Sequence, residues 1–231
     1  MTRTLAALTQ DLRPMGDQGI MVVFGEEISP ECHREVVAAE KAVMASNLPG
    51  VTETIPAYAA LYVGYDALAT DFATLRDALL NLSLPQTDAE TGKVWTVPIC
   101  YDPEFAPDLE EVANWAGKNV DDVISAHLES LYRVYMFGFA PGYAYLGGSL
   151  PEIQVPRRDA PRQGIPKGSV MIAGPQCLMC PLVMPSGWSV IGRTPMDLLA
   201  RDAMPPSPFN IGDEVRFTRI SRSDYDAVTR A

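Results

Sequence analysis

The sequence predicts an α+β protein in two parts: a small amino-terminal two-layer α/β sandwich over residues 1–88 and a β-barrel-like body over residues 89–231. Three observations lead there. Strand-like and helix-like periods follow one another in β-α-β-β-α order as far as Leu84, the pattern of a small sheet covered by helices. Residues 85–93 (PQTDAETGK) are polar and without periodicity, as a linker is. Between Gly138 and Pro195 the chain then crowds nine of its 17 glycines and nine of its 20 prolines. Such a stretch folds as tight turns joined by short extended runs.

The elements follow in order. Residues 19–24 (GIMVVF) form a short, β-rich apolar run with a glycine on either side, which reads as a buried strand. Ser29 then caps a helix with Pro30 at its first position, Cys32, Val36, Ala39 and Val43 on one face, and Pro49-Gly50 as the stop; His33 reads as ordinary helix surface. Residues 51–56 and 59–65 are strands, and a helix from about Thr70 carries Phe72, Leu75 and Leu79 as one stripe. A strand over 94–101 opens the second part. Asp108 reads as the N-cap of the next helix, with Glu111 three residues on in a capping-box variant and Gly117 as its end. A further helix starts at Asn119, and its Val120, Val123, Ile124 and His127 share a face, which puts the histidine on the apolar side. Near the end, residues 212–217 give a turn and an alternating strand.

Composition narrows the function classes. Of 231 residues 47% are hydrophobic, enough for a core, and the net charge is −11, with a pI near 4.6. So acidic a chain lacks the surface that phosphate neutralisation needs, which argues against nucleic acid as a partner. No apolar run approaches the roughly 20 residues that span a bilayer, and the opening residues carry no convincing leader, so the expected location is the cytoplasm. Four cysteines there are expected as thiols rather than a disulfide framework. The exception to the acidity is local. Residues 138–195 hold Arg157, Arg158, Arg162, Lys167 and Arg193 against Glu152 and Asp159, an excess of three positive charges. A basic island on an acidic chain is where an anionic ligand is sought.

Several motifs carry a family resemblance. Residues 133–148 (RVYMFGFAPGYAYLGG), Pro156-Arg157-Arg158, Pro161-Arg162, Pro166-Lys167-Gly168-Ser169-Val170, Ile172-Ala173-Gly174, Gly187-Trp188 and Ile191-Gly192-Arg193-Thr194-Pro195 resemble the signature of the KipI-type family. That family is also known as allophanate hydrolase subunit 1, as the B subunit of bacterial 5-oxoprolinase and as carboxyltransferase subdomains C and D. Pro14-Met15-Gly16-Asp17, Phe24-Gly25, Leu48-Pro49-Gly50-Val51 and Ile55-Pro56-Ala57-Tyr58 extend the similarity through the first part. The resemblance implies a carboxy-terminal cyclophilin-like β-barrel domain and a companion C subunit, of the KipA type, with related architecture. It also implies ATP-dependent opening of 5-oxo-L-proline to L-glutamate by the A, B and C subunits together, this chain being inactive or nearly so alone. ATP would be a co-substrate of the complex rather than a cofactor of this chain, which has neither a G-x-x-x-x-G-K-[ST] loop nor a G-x-S-x-G elbow. Amide chemistry of the allophanate hydrolase or urea carboxylase type, and inhibition of a sensor histidine kinase, remain as alternatives within the family.

Candidate site residues follow from chemistry. Arg157, Arg158 and Arg162 are suited to clamp a carboxylate or phosphoryl group with guanidinium forks, or else to pair with acidic surface of this chain or of the companion C subunit. Arg193, set between glycine and a following Thr-Pro, either meets substrate or braces a loop. Tyr143 and Gln176 are further substrate-binding candidates. The sequence does not fix the catalytic residues; His127, Arg158 and Arg162 are the candidates, His127 for proton transfer since imidazole titrates near neutrality, with a packed core histidine as the competing reading. Cys177-Leu178-Met179-Cys180 departs from the Gln-Thr-Gly-Ile-Tyr-Pro expected of the family between Gln176 and Pro181. A single C-x-x-C without a second pair gives no zinc site, so no metal is expected.

Overall fold

A computed structural model describes residues 3–84, 92–200 and 202–229. The chain divides into two compact units, residues 1–90 and 91–231. The expected linker and the 88/89 boundary fall largely on residues 85–91, outside the described residues.

The first unit contains β1 (Arg3–Thr4), β2 (Asp11–Pro14), β3 (Gly19–Val23), α1 (Pro30–Ser46), β4 (Val51–Pro56), β5 (Ala60–Tyr65), α2 (Phe72–Leu80) and β6 (Ser83–Leu84). Four of the strands form an antiparallel sheet in the order β2-β3-β5-β4, and β1 pairs with β6. Ile20 faces Val63 and Val22 faces Leu61 across β3 and β5. All four are buried with Val36, Ala39 and Val43 of α1 and Leu75 and Leu79 of α2, which is how an alternating strand and a helical stripe share one core. Ser29 accepts from the Cys32 amide and Asp71 from the Thr74 amide, so both helices are capped. Two expectations change. Residues 11–14 add a strand the sequence did not announce, and His33, expected at the surface, is 1% exposed. It sits one turn before Val36 on the face that α1 turns to its core.

The second unit is built on a nearly closed, barrel-like sheet. Its strands are β7 (Val94–Ile99), β8 (Tyr132–Phe137), β9 (Ala144–Gly147), β10 (Arg162–Ile165), β11 (Ser169–Ala173), β12 (Gln176–Met179), β13 (Met184–Ser186), β14 (Ser189–Arg193) and β15 (Glu214–Arg219); its helices are α3 (Leu109–Ala116), α4 (Val120–Glu129) and α5 (Arg222–Thr229). Seven strands run β14-β11-β12-β9-β8-β15-β7. Past the end of β7, Cys100 exchanges backbone hydrogen bonds of 2.9 and 3.0 Å with Arg193 of β14, joining the two edges. The last strand, β15, enters beside β7 in parallel and β8 in antiparallel register.

Strand β11 is buried along its whole length. Val170 and Ile172 point into the cluster shared with α3 and α4, while Met171 and Ala173 join Tyr143, Ile165, Leu178, Met184, Trp188 and Val190 on the other face. Ile165 and Met184 of that second cluster pair across the small β10–β13 ladder. Asp108 departs from its expected role: it precedes α3 but its side chain makes no capping hydrogen bond. Helix α5 was not expected at all.

Candidate functional site

The side chain of Asp108 is turned away from its helix and is 2% exposed. Its Oδ1 accepts from Arg158 Nη1 at 3.1 Å and Arg162 Nη2 at 2.5 Å. Its Oδ2 accepts from Arg162 Nη1 at 3.2 Å and the Val190 amide at 2.8 Å. Four hydrogen bonds fill the accepting capacity of a carboxylate, and two guanidinium donors supply the pairing that a buried charge requires. Arg158 also donates to Glu111 Oε2 at 2.7 Å, and that bond holds its guanidinium pKa above the ordinary value. Two of the three candidate arginines are therefore spoken for by Asp108 and by an acid of the helix that follows it.

Arg157 is different. It is exposed and has no ion-pair partner among the described residues. It lines a cleft of about 380 Å³ together with Trp115, Val155, Asp159 and Ser189. On its other side lies Gly187, whose added Cβ would come 4.0 Å from the Arg157 Nε and Nη2. The Tyr143 and Tyr145 hydroxyls are raised by burial above the ordinary phenol range, against which the positive charge of Arg157 pulls. Aromatic rings continue from there: Trp188 to Tyr145 at 6.2 Å, Tyr145 to Tyr143 at 5.3 Å, Tyr143 to Phe139 at 5.5 Å. Phe139 ends the row 70% exposed and in a left-handed backbone conformation, φ +67°, a cost paid in few places outside functional turns.

The other candidates lie elsewhere. Gln176 opens β12 opposite Gly147, at the turn where the Gly174 amide bonds the Val155 carbonyl, and it is not in the cleft lining. Arg193 stands at the barrel seam with its guanidinium 4.8 Å from the Phe105 ring and its Nε buried without a hydrogen-bond partner. His127 is 0% exposed. Its Nδ1 lies 2.7 Å from the Tyr101 hydroxyl and its Nε2 3.8 Å from Cys177 Sγ, and burial lowers its pKa to about 3. A neutral imidazole enclosed by Tyr101, Tyr132 and Phe217 has no route to a substrate proton; the packed-core reading describes its position. Cys177 and Cys180 are free thiols that join different clusters, one inside the barrel and one with Trp188. Burial raises both, Cys180 to about 11, so neither is a thiolate near neutrality.

The structure thus brings Arg157, Arg158, Arg162 and Tyr143 into one region and leaves out Gln176, Arg193 and His127. Asp108, Trp115 and Ser189 were missed. Trp115 carried a readable signal, a large aromatic on a short helix off the face of Val112 and Ala113, and it is 56% exposed.

Comparison with known proteins agrees with this architecture. The model of the carboxyltransferase domain, subdomain C and D, matches residues 10–209. The chain is 39% identical over 228 residues to the B subunit of 5-oxoprolinase from Bacillus subtilis (strain 168), covering 94% of this chain and 95% of that one. A solved structure, TTHA0988, is 33% identical with a TM-score of 0.78, covering 88% of this chain and 40% of its own length. The Kluyveromyces lactis urea carboxylase shares the fold at 16% identity, with a TM-score of 0.79 over 95% of this chain and 22% of that one. The chain belongs to the carboxyltransferase subdomain C and D family, the family of the KipI-type proteins.

Proposed function

We propose that this chain is the B subunit of an ATP-dependent 5-oxoprolinase complex, which opens 5-oxo-L-proline to L-glutamate together with the A and C subunits. The observation that carries this reading is the nearly end-to-end match to a relative of that name. The cleft adds a chemical argument. The lining sets Arg157 and Arg158 against Glu111 and Asp159, which leaves no excess positive charge for a polyphosphate, but Arg157, without an ion pair among the described residues, suits the single carboxylate of 5-oxoproline. ATP is therefore assigned to groups outside this cleft.

A lactam carbonyl is a poor electrophile. Transfer of a phosphoryl group from ATP to the amide oxygen, releasing ADP, turns that oxygen into part of a leaving group. Water then adds to the carbon, the ring C–N bond breaks as nitrogen takes a proton, and a second water frees phosphate to leave glutamate. The part of this chain is to bind and orient the carboxylate. The cleft lining holds no histidine, and both histidines of the chain are buried, so the groups of this cleft able to accept a proton are the carboxylates Glu111 and Asp159. The test is glutamate release from 5-oxoproline and ATP by this chain alone, with the C subunit, and with the A and C subunits together. Release only in the full mixture is expected. An assembled complex that turns over urea or allophanate but not 5-oxoproline would overturn the reading.

A further inference from the structure

We propose that Asp108 is a positioning residue for the Arg157 cleft: one carboxylate staples both ends of the segment from Arg158 to Arg162 and so fixes Arg157 at the rim. The geometry is specific. Asp108 reaches Arg158 at the start of the segment and Arg162 at its end, and binds the Val190 amide of β14 as well. The backbone is tied at the same place, where the Arg158 amide donates to the Gly187 carbonyl at 2.8 Å. The intervening Asp159 and Ala160 line the cleft with Arg157 and Pro156. Glu111 takes a further Arg158 contact from the first turn of α3. The wall that carries the free guanidinium has no regular secondary structure of its own between the single 3-10 turn at residues 151–153 and β10, so its shape depends on these bonds. Preorganisation of this kind spares the ordering cost when a ligand binds.

Asp108→Asn keeps size and shape but turns an amide donor toward guanidinium donors and removes the charge that pairs them. This inference rests on the oxoprolinase reading only in its kinetic arm. In the assembled complex of all three subunits, D108N is expected to raise KM for 5-oxoproline by on the order of tenfold or more with kcat little changed, because the lost property is the placement of Arg157. A merely structural role would reduce the amount of active complex, lowering kcat at constant KM. Arg157→Ala in the D108N background should add little to the KM effect, since both changes remove the same contact; multiplying effects would overturn the proposal. The second arm needs no turnover. On the full chain by itself, trypsin is expected to cut after Arg157 and Arg158 faster in D108N than in the native protein at a temperature well below both melting points; equal rates would overturn it. Should D108N fail to fold, Arg162→Met removes one end of the staple while Asp108 keeps Arg158 and the Val190 amide. The same KM and proteolysis pattern is then required.

Discussion

Acid is expected to unload the barrel through His127. The ring is fully buried on α4, stacked among Tyr132 and Phe217 at centroid distances of 5.3 and 4.5 Å. Its Nδ1 faces the Tyr101 hydroxyl and its Nε2 faces Cys177 Sγ, groups that can each donate or accept, so the neutral ring is matched in either tautomer. That arrangement holds a neutral imidazole and offers an imidazolium no anion, and burial takes the pKa from 6.5 to about 3. The unfolded chain binds a proton on His127 near pH 6.5, while the folded chain does not until about pH 3. Stability is therefore full above pH 6.5 and falls as the pH drops, at about 1.4 kcal/mol per pH unit, for a total of roughly 5 kcal/mol at pH 3. That loss is comparable to the whole stability of many domains, about 5–15 kcal/mol. Denaturant titrations at half-unit steps from pH 7.5 to 4 on the native chain and on His127→Gln, which keeps an acceptor for Tyr101, measure the difference directly. Every other group is common to both proteins and cancels in the difference. The stability of the native chain should fall more steeply than that of the variant by one proton's slope below pH 6.5; parallel curves would refute the assignment of a neutral, buried His127.

Three further outcomes are expected. Arg157→Ala should raise KM for 5-oxoproline in the assembled complex by on the order of tenfold or more without lowering the melting temperature of the chain, because it gives up no ion pair of the fold; a lower melting temperature with native kinetics would place Arg157 in the fold instead. Gly148→Ala should cost about 3 kcal/mol or more in a denaturant titration, since its φ is +121° and an added Cβ would strike the Leu131 carbonyl oxygen. Gly174→Ala, at φ +53° with nothing within 4 Å of the new atom, should cost only about 1–2 kcal/mol, and equal costs would reject the steric account. Phe139→Gly should leave stability unchanged or raise it by up to about 1 kcal/mol, because a 70% exposed ring contributes little burial and glycine accepts the left-handed backbone; a loss of more than about 2 kcal/mol, as for a core aromatic, would show that the ring packs.

The first unit was legible because its signals are local. Ser29 capping Pro30–Ser46, the stripe of Val36, Ala39 and Val43, and the pairing of two adjacent β-rich runs all lie within a few residues of one another. His33 was misplaced because residue type was weighed above position: the side chain shares the buried face of Val36. The barrel was legible as a class, from glycine, proline and short extended runs, but not in its order. Nothing near Glu214–Arg219 says that this strand enters beside Val94–Ile99 in parallel register. Helix α5 had a readable start, a full capping box in which Ser221 and Asp224 exchange backbone and side-chain hydrogen bonds. It lacked the apolar stripe that reveals a helix by its period, and none of its residues is buried.

The candidate site shows the same limit in charge rather than in shape. The excess of three positive charges in residues 138–195 is read directly from the sequence, yet its meaning depends on carboxylates that arrive from outside that stretch. Asp108 looked like a cap because a helix follows it at once, whereas its partners are 50, 54 and 82 residues further along the chain. The acidic helices and the basic loop, separate in sequence, are one electrostatic unit in the fold, and Asp108 and Glu111 subtract Arg158 and Arg162 from it. Lys167 pairs with Asp197, Arg193 stands over Phe105 at the barrel seam, and what is left at the cleft is Arg157. A basic island thus overstates the charge offered to a ligand, and the acids that fold back onto it decide which arginine is left to bind.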